Sequence, residues 1–500
     1  MQYQSTRDNS IKVSAAMAIK TGLSAEGGLF VPESLPSVSM EEIEELASKG
    51  YHERAYFVLS KFLTDFTEEE LMNCINNAYT KEKFGTDAIA PVYKLDDKAY
   101  VLELWHGPTC AFKDMALQIL PHLLTTSMKK TNENDEIVIL VATSGDTGKA
   151  ALEGFKDVDG TRIIVFYPDN GVSEIQKLQM VTQEGNNVAV AAVKGNFDDA
   201  QSGVKKIFTD DAYKEVLGRN SFKLSSANSI NWGRLVPQIV YYFSAYADML
   251  KNGEIKIGDS INVVVPTGNF GNILAAYYAK KMGLPVAKFI CASNENNVLT
   301  EFIRTGVYNK NRDFHTTISP SMDILISSNL ERFLYDLTGN NDGIVAEWMN
   351  ALNTVGNYEI TADVKEKLQK LFWADCCDDS ETMATIKKCA AEYDYVIDTH
   401  TAVAKCVYDK YVSETGDTTK TVIASTASPF KFNQSVLIAL NDYSAVVNKD
   451  EFTLLNELSE QSGMEIPKSL AELKNKSVAF DLVCGKDEMQ RVVSDFLMVD

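Results

Sequence analysis

The sequence predicts an α/β fold with parallel-rich sheets, arranged as a large and a small domain behind an amino-terminal domain. Three observations carry this. Short apolar runs suited to buried strands recur at 137–142, 162–167, 188–193, 262–265, 287–292, 395–397 and 421–424, with helical periodicity between most of them. Two of these runs feed helical stretches through glycine-rich turns. The chain has 500 residues, 45% of them hydrophobic, enough to bury several layers in more than one domain. Strands alternating with helices imply parallel pairing through right-handed crossovers.

Taken in order, residues 1–95 carry helical patterns at 40–49 and 68–83 and are expected to form the amino-terminal domain. Pro91-Val92-Tyr93 leads into the next unit. Helices are expected over 114–128, 149–155, 229–242 and 273–282. Residues 130–225 hold three closely spaced strands and the first glycine turn, and read as a small mobile domain inserted into a large one made of 96–129 and 226–500. The stretch 295–383 reads as a helical insertion, with Ile318-Ser319-Pro320-Ser321-Met322-Asp323 expected to approach the site. Residues past 445 read as a mixed appendage.

Charge and cysteine usage narrow the function classes. Against 48 basic residues stand 69 acidic ones, a net charge of -21, which argues against nonspecific binding to nucleic acid or an anionic membrane. A small-molecule partner remains. The eight cysteines (74, 110, 291, 376, 377, 389, 406 and 484) show no C-x-x-C spacing, so reduced thiols are expected. No metal site is expected, because Cys376-Cys377 has no histidine at ligand spacing. Residues 1–15 lack the apolar core of a signal peptide, and no stretch approaches the roughly 20 apolar residues of a membrane span. A cytoplasmic monomer or dimer is expected.

Chemistry concentrates around Lys113, in His106-Gly107-Pro108-Thr109-Cys110-Ala111-Phe112-Lys113-Asp114. A lysine becomes a nucleophile only when desolvation lowers its pKa, and Phe112 supplies an apolar neighbour. Downstream stand two strand-to-helix turns, Thr143-Ser144-Gly145-Asp146-Thr147-Gly148 and Gly268-Asn269-Phe270-Gly271-Asn272. Such turns leave backbone N–H groups pointing at an anion. The first fails the phosphate-loop pattern, with Thr143 at its first position and Ala150 at its last, and the second lacks G-x-G-x-x-G. Either alone is compatible with a purely structural turn. One lysine with two anion cradles points to a pyridoxal phosphate enzyme acting on an amino acid, one cradle for the cofactor phosphate and one for the substrate carboxylate.

Six segments in this order resemble threonine synthase of the longer type. They are the Lys113 segment, the two turns, Asn228-Ser229-Ile230-Asn231-Trp232-Gly233-Arg234, Asp398-Thr399-His400-Thr401-Ala402-Val403 and Ser425-Thr426-Ala427-Ser428-Pro429-Phe430-Lys431-Phe432. Ser5-Thr6-Arg7 and Gly27-Gly28-Leu29-Phe30-Val31-Pro32 fit as well. The resemblance implies the tryptophan synthase beta-like pyridoxal phosphate fold. It also implies a carbon-oxygen lyase that converts O-phosphohomoserine and water to threonine and phosphate in threonine biosynthesis. Lys113 would attach the cofactor and move protons. Gly268, Asn269, Phe270, Gly271 and Asn272 would hold the cofactor phosphate, Asp146 would lie near the cofactor hydroxyl, and Thr426 would meet the ring nitrogen. Thr143, Ser144, Gly145 and Thr147 would receive the substrate carboxylate.

Asn231 and Arg234, one helical turn apart, are candidates for the substrate phosphate, with Lys149 a third. His106 and His400 fit catalytic or structural roles equally. Where the family commonly has histidine and alanine, this chain has Ser428 and Phe430. That departure keeps two alternatives open: a phospho-lyase giving 2-oxobutyrate from the same substrate, and an inert cofactor-binding protein. Exclusion of water from the reacting carbons implies a closing motion of 130–225.

Overall fold

The computed structural model describes residues 1–143, 145–169 and 172–499. Polar caps start the first helices. Ser14, Ser39, Thr67 and Thr80 each accept a backbone N–H three residues on, and at Ser39 and Thr67 the glutamate there reaches back to the cap. The pattern expected over 68–83 is therefore cut into Glu68–Ala78 and Lys81–Phe84, because Thr80 caps a turn of its own. Tyr3–Ser5 pairs antiparallel with Lys12–Val13 and Phe30–Pro32. This part shares its core with the rest of the chain. Tyr3 and Phe62 pack on Trp232 at ring separations of 5.3 and 5.6 Å, and Arg7 grips Glu331 with two nitrogens at 2.9 and 2.7 Å.

The large sheet runs in the order Phe372–Cys376, Val286–Ser293, Ile261–Pro266, Thr421–Ser425, Ala99–Glu103, Val92–Lys94. All neighbours are parallel except the last pair. Two expectations are corrected here. The stretch 295–383 is not purely helical, since Phe372–Cys376 joins the sheet edge with Phe289 opposite Phe372; the buried Phe372 and Ala374 supply its inward face. Residues 395–397 form no strand. Val396 and Ile397 are buried as a covered loop that delivers Asp398 to cap the helix Thr399–Thr415.

The small sheet is wholly parallel, in the order Val483–Gly485, Val188–Lys194, Thr161–Pro168, Glu136–Ala142, Phe222–Ser225. Its outer strand corrects the placement of 226–500 in the large domain. Residues 483–485 return to pair with 192–194, and the helix Met489–Leu497 buries Met489, Val493 and Leu497 against Val138, Leu140, Ile164 and Val193. An apolar edge strand is thereby covered. The helix Trp232–Lys251 starts three residues later than expected because Asn231 is its cap, and its first sixteen residues are buried. Among the described residues no helix is long and apolar enough to cross a membrane.

Candidate active site

A backbone stitch positions the lysine. Phe112 donates to the Thr426 carbonyl at 2.8 Å and Ser428 donates to the Cys110 carbonyl at 3.0 Å. Ala111 bridges Ala427 between them. Lys113 and Thr426 are thus held side by side at the end of the strand Thr421–Ser425. The Lys113 ammonium lies 3.6 Å from the Asp146 carboxylate and donates to Ser321 Oγ at 3.3 Å. Burial pushes its pKa down to about 8; Asp146 opposes this, while Arg234 and Lys431 assist it.

Asp146 opens the helix Asp146–Phe155 and is buried. Burial alone would raise its pKa, but Lys431 at 2.6 Å, then Lys113, Gln176 and Ser321 hold the carboxyl well below its ordinary range. Lys431 also donates to the Thr109 carbonyl at 3.0 Å. A buried carboxylate between two ammonium groups fixes the small sheet's first helix against the lysine segment.

The two turns differ in how they are built. In the first, Thr143 Oγ1 accepts from the Gly145 and Gly148 amides at 3.0 and 2.9 Å, so its side chain shapes the turn. Gly145 sits at φ 136°, and a Cβ there would meet the Gln176 amide at 2.5 Å. Thr147 is half-buried in the first helical turn. Ser144 lies outside the described residues.

In the second turn Phe270 takes φ 62° and caps Gly271–Met282. Its ring is spent on the core against Phe333 and Phe372, and Asn269 is exposed. The turn therefore offers backbone N–H groups at a helix start. A Cβ on Gly268 would lie 2.9 Å from the Ser321 carbonyl, and one on Gly271 3.5 Å from Asn329 Nδ2. Asn272 accepts from Tyr241 at 2.8 Å and from Tyr242, and Nδ2 of both Asn272 and Asn329 is buried without an acceptor among the described residues. At Gly268 a side chain would press on the Ser321 carbonyl, whereas at Gly271 it would make ordinary contact.

Of the phosphate candidates, Arg234 has the fewest side-chain bonds among the described residues. Arg234 is buried with its pKa lowered to about 10, and among the described residues its side chain bonds only the Ala227 carbonyl, at 2.7 Å. Asn231 caps its helix through the Gly233 amide and donates to the Ile19 carbonyl. Lys149, expected to be solvated, is buried and bonded to Glu153 at 2.9 Å and to Gln183. His106 is tied to Glu103 at 2.7 Å on the large sheet.

His400 has a defined place. Its Nδ1 bonds Asp398 at 3.0 Å while Nε2 accepts the Ser321 amide at 3.2 Å, so the proton sits on Nδ1. Ser428 caps the turn Pro429–Phe432, and Phe430 fills an apolar cluster with Cys110, Ile397 and Leu437.

Three residues completing this centre were not assigned from sequence: Lys431, Ser321 and Gln176. Lys431 was legible as a second lysine in a matched segment, and Ser321 lies in the stretch expected to approach. Gln176 had no signal. The residues present fit pyridoxal phosphate. A buried amine of lowered pKa can join an aldehyde, a glycine-lined helix start can hold a phosphate, and Thr426 is stitched to the residue before Lys113.

Three family models match the chain: "Threonine synthase N terminus" over residues 2–79, "Pyridoxal-phosphate dependent enzyme" over 88–353 and "Threonine synthase, C-terminal" over 401–489. Threonine synthase of Pseudomonas aeruginosa is 38% identical over 440 residues, covering 87% of this chain and 90% of that protein. Human threonine synthase-like 1 is 43% identical over 443 residues, 86% of this chain. The chain spans 58% of that relative's length. Among solved structures, threonine synthase from yeast superposes with a TM-score of 0.88 at 32% identity, covering 99% of both chains. A pyridoxal phosphate-bound threonine synthase from Brucella melitensis gives 0.87 at 33%, covering 99% of this chain and 98% of that one.

Proposed function

The chain belongs to the pyridoxal phosphate-dependent threonine synthase family, and from that premise we propose that it converts O-phosphohomoserine and water to L-threonine and phosphate. The observation that carries this reading is the buried Lys113 amine, held beside Asp146 with Arg234 near enough to depress its pKa. Pyridoxal phosphate, when bound, withdraws electrons from the substrate carbon skeleton.

The rest is done by side chains of the chain itself. Lys113 holds the cofactor and, once released, takes and returns protons at the substrate's Cα and Cβ. Gly268, Asn269, Phe270, Gly271 and Asn272 hold the cofactor phosphate through backbone N–H groups. Thr426 would meet the ring nitrogen with a neutral hydroxyl, which would keep the electron sink weak and suit elimination over transamination. Asp146 orients Lys113 and the cofactor hydroxyl. The turn of Thr143, Ser144, Gly145 and Thr147 receives the substrate carboxylate; the Thr143 and Gly145 amides are spent on the Phe166 carbonyl and Thr143 Oγ1, so the Thr147 amide and hydroxyl are donors it offers. Arg234 takes the substrate phosphate through its remaining donors.

The test is to incubate cofactor-loaded protein with O-phosphohomoserine and identify the carbon product by NMR. Threonine supports the synthase reading. A 2-oxobutyrate product moves the activity to the phospho-lyase alternative with the same site. Lys113→Ala is expected to lose the cofactor-lysine absorbance and to slow phosphate release by at least about 10²–10⁴-fold.

A further inference from the structure

A second cluster of reactive groups lies beside the edge strand of the large sheet. Cys377 follows the edge strand Phe372–Cys376, where its N–H donates to the Ser293 carbonyl at 3.0 Å. Cys406 lies on the helix Thr399–Thr415. Their sulfurs and the Glu381 carboxylate all lie within 4.8 Å of one another. Cys377 is buried at 1% exposure, while Cys406, at 8%, forms part of the wall of a surface cleft of about 470 Å³. Thr385, Lys388, Asp409 and Lys410 line the same cleft. Cys406 borders the cleft and Cys377 does not.

We propose that Cys406 and Cys377 are a peroxide-oxidisable thiol pair, Cys406 reacting first and Cys377 resolving it to a disulfide. The Lys410 ammonium borders Cys406 and is anchored by Glu381 at 2.7 Å and the Cys376 carbonyl at 2.8 Å. The neighbouring Cys377, then Lys410 and Thr385, hold Cys406 below its ordinary value against burial and Glu381, whereas Cys377 is raised.

In the first step the Cys406 thiolate attacks a peroxide oxygen. An S–O bond forms, the O–O bond breaks, and the departing oxygen takes a proton, leaving a sulfenic acid. In the second step Cys377 sulfur attacks Cys406 sulfur, the S–O bond breaks, and hydroxide leaves as water with the Cys377 proton. Two electrons pass from the sulfurs to the hydroperoxide. The same three ligand atoms could take a soft divalent cation, but the ammonium bound to Glu381 opposes one.

The experiment uses the reduced, cofactor-loaded full chain, treated with hydrogen peroxide, alkylated with N-ethylmaleimide and mapped by mass spectrometry. A Cys377–Cys406 linked peptide that dithiothreitol reverses is expected. Cys377→Ser should leave Cys406 trapped by dimedone as a sulfenic acid, and Lys410→Gln should slow Cys406 oxidation by about 3–10-fold. Two fully alkylated thiols after peroxide, or a link through Cys376, would overturn the proposal. So would zinc co-purifying at one ion per chain and lost in Cys406→Ala.

Discussion

Lys113 is pulled in opposite directions, by burial toward the neutral amine and by Asp146 toward the ammonium, and burial prevails. The rate at which apoprotein captures pyridoxal phosphate is therefore expected to rise with pH through an inflection near 8, read by stopped-flow absorbance. Linkage gives the matching sign for stability. Below about 8 both folded and unfolded states carry the proton and the burial penalty is fully present. Between 8 and the ordinary 10.5 only the unfolded chain is charged, so the apoprotein gains stability with pH across that window. Lys431→Met removes a cation that depresses Lys113 and leaves Asp146 to act on Lys113 alone. The capture inflection should move up, and the loss of one member of a buried ion pair should cost about 3–5 kcal/mol in denaturant unfolding. An unmoved inflection would remove Lys431 from the centre. Lys113 could be found from sequence because its segment is contiguous. Its partners could not be paired with it, because Ser321 and Lys431 arrive from 208 residues and more than 300 residues away, and no local pattern records a long-range ion pair.

Secondary structure was legible where burial is continuous and caps are local. The strands at 137–142, 162–167, 188–193 and 262–265 lie within Glu136–Ala142, Thr161–Pro168, Val188–Lys194 and Ile261–Pro266. The run 395–397 carried the same apolar signal, yet its backbone is used to present a helix cap. Phe372–Cys376, with polar residues around it, gains strand character only from its neighbour in the sheet. Glycine turns carry a sharper message. Gly145→Ala would put a side chain at φ 136° and within 2.5 Å of the Gln176 amide, itself bonded to Asp146. The expected cost is about 1–3 kcal/mol of stability, with a weaker substrate KM. Thermal melts and steady-state kinetics on the variant would show both, and unchanged values would mean that this turn is not part of the site.

At the scale of the whole chain, the small sheet meets the lysine segment through Asp146, a single buried carboxylate shared with Lys113 and Lys431. Binding of a phosphohomoserine analogue is expected to slow amide exchange over 136–225 and over 483–497 together, because the returning strand and helix belong to that sheet. Residues 261–293 should change little. Protection confined to 261–293 would remove the closing motion. The division between the two sheets could be read from strand spacing, but the return of the tail could not, since three residues give almost no periodic signal.

That returning strand sets a schedule for synthesis. The strand Val188–Lys194 leaves the ribosome with its outer partner still 289 residues from being translated, an interval of about 15–60 s at ordinary elongation rates. Throughout it a hydrophobic sheet edge stands open to pairing with neighbouring nascent chains, so the protein's dependence on chaperones should include this edge along with that of Ala99–Glu103, whose partner Thr421–Ser425 is also made late.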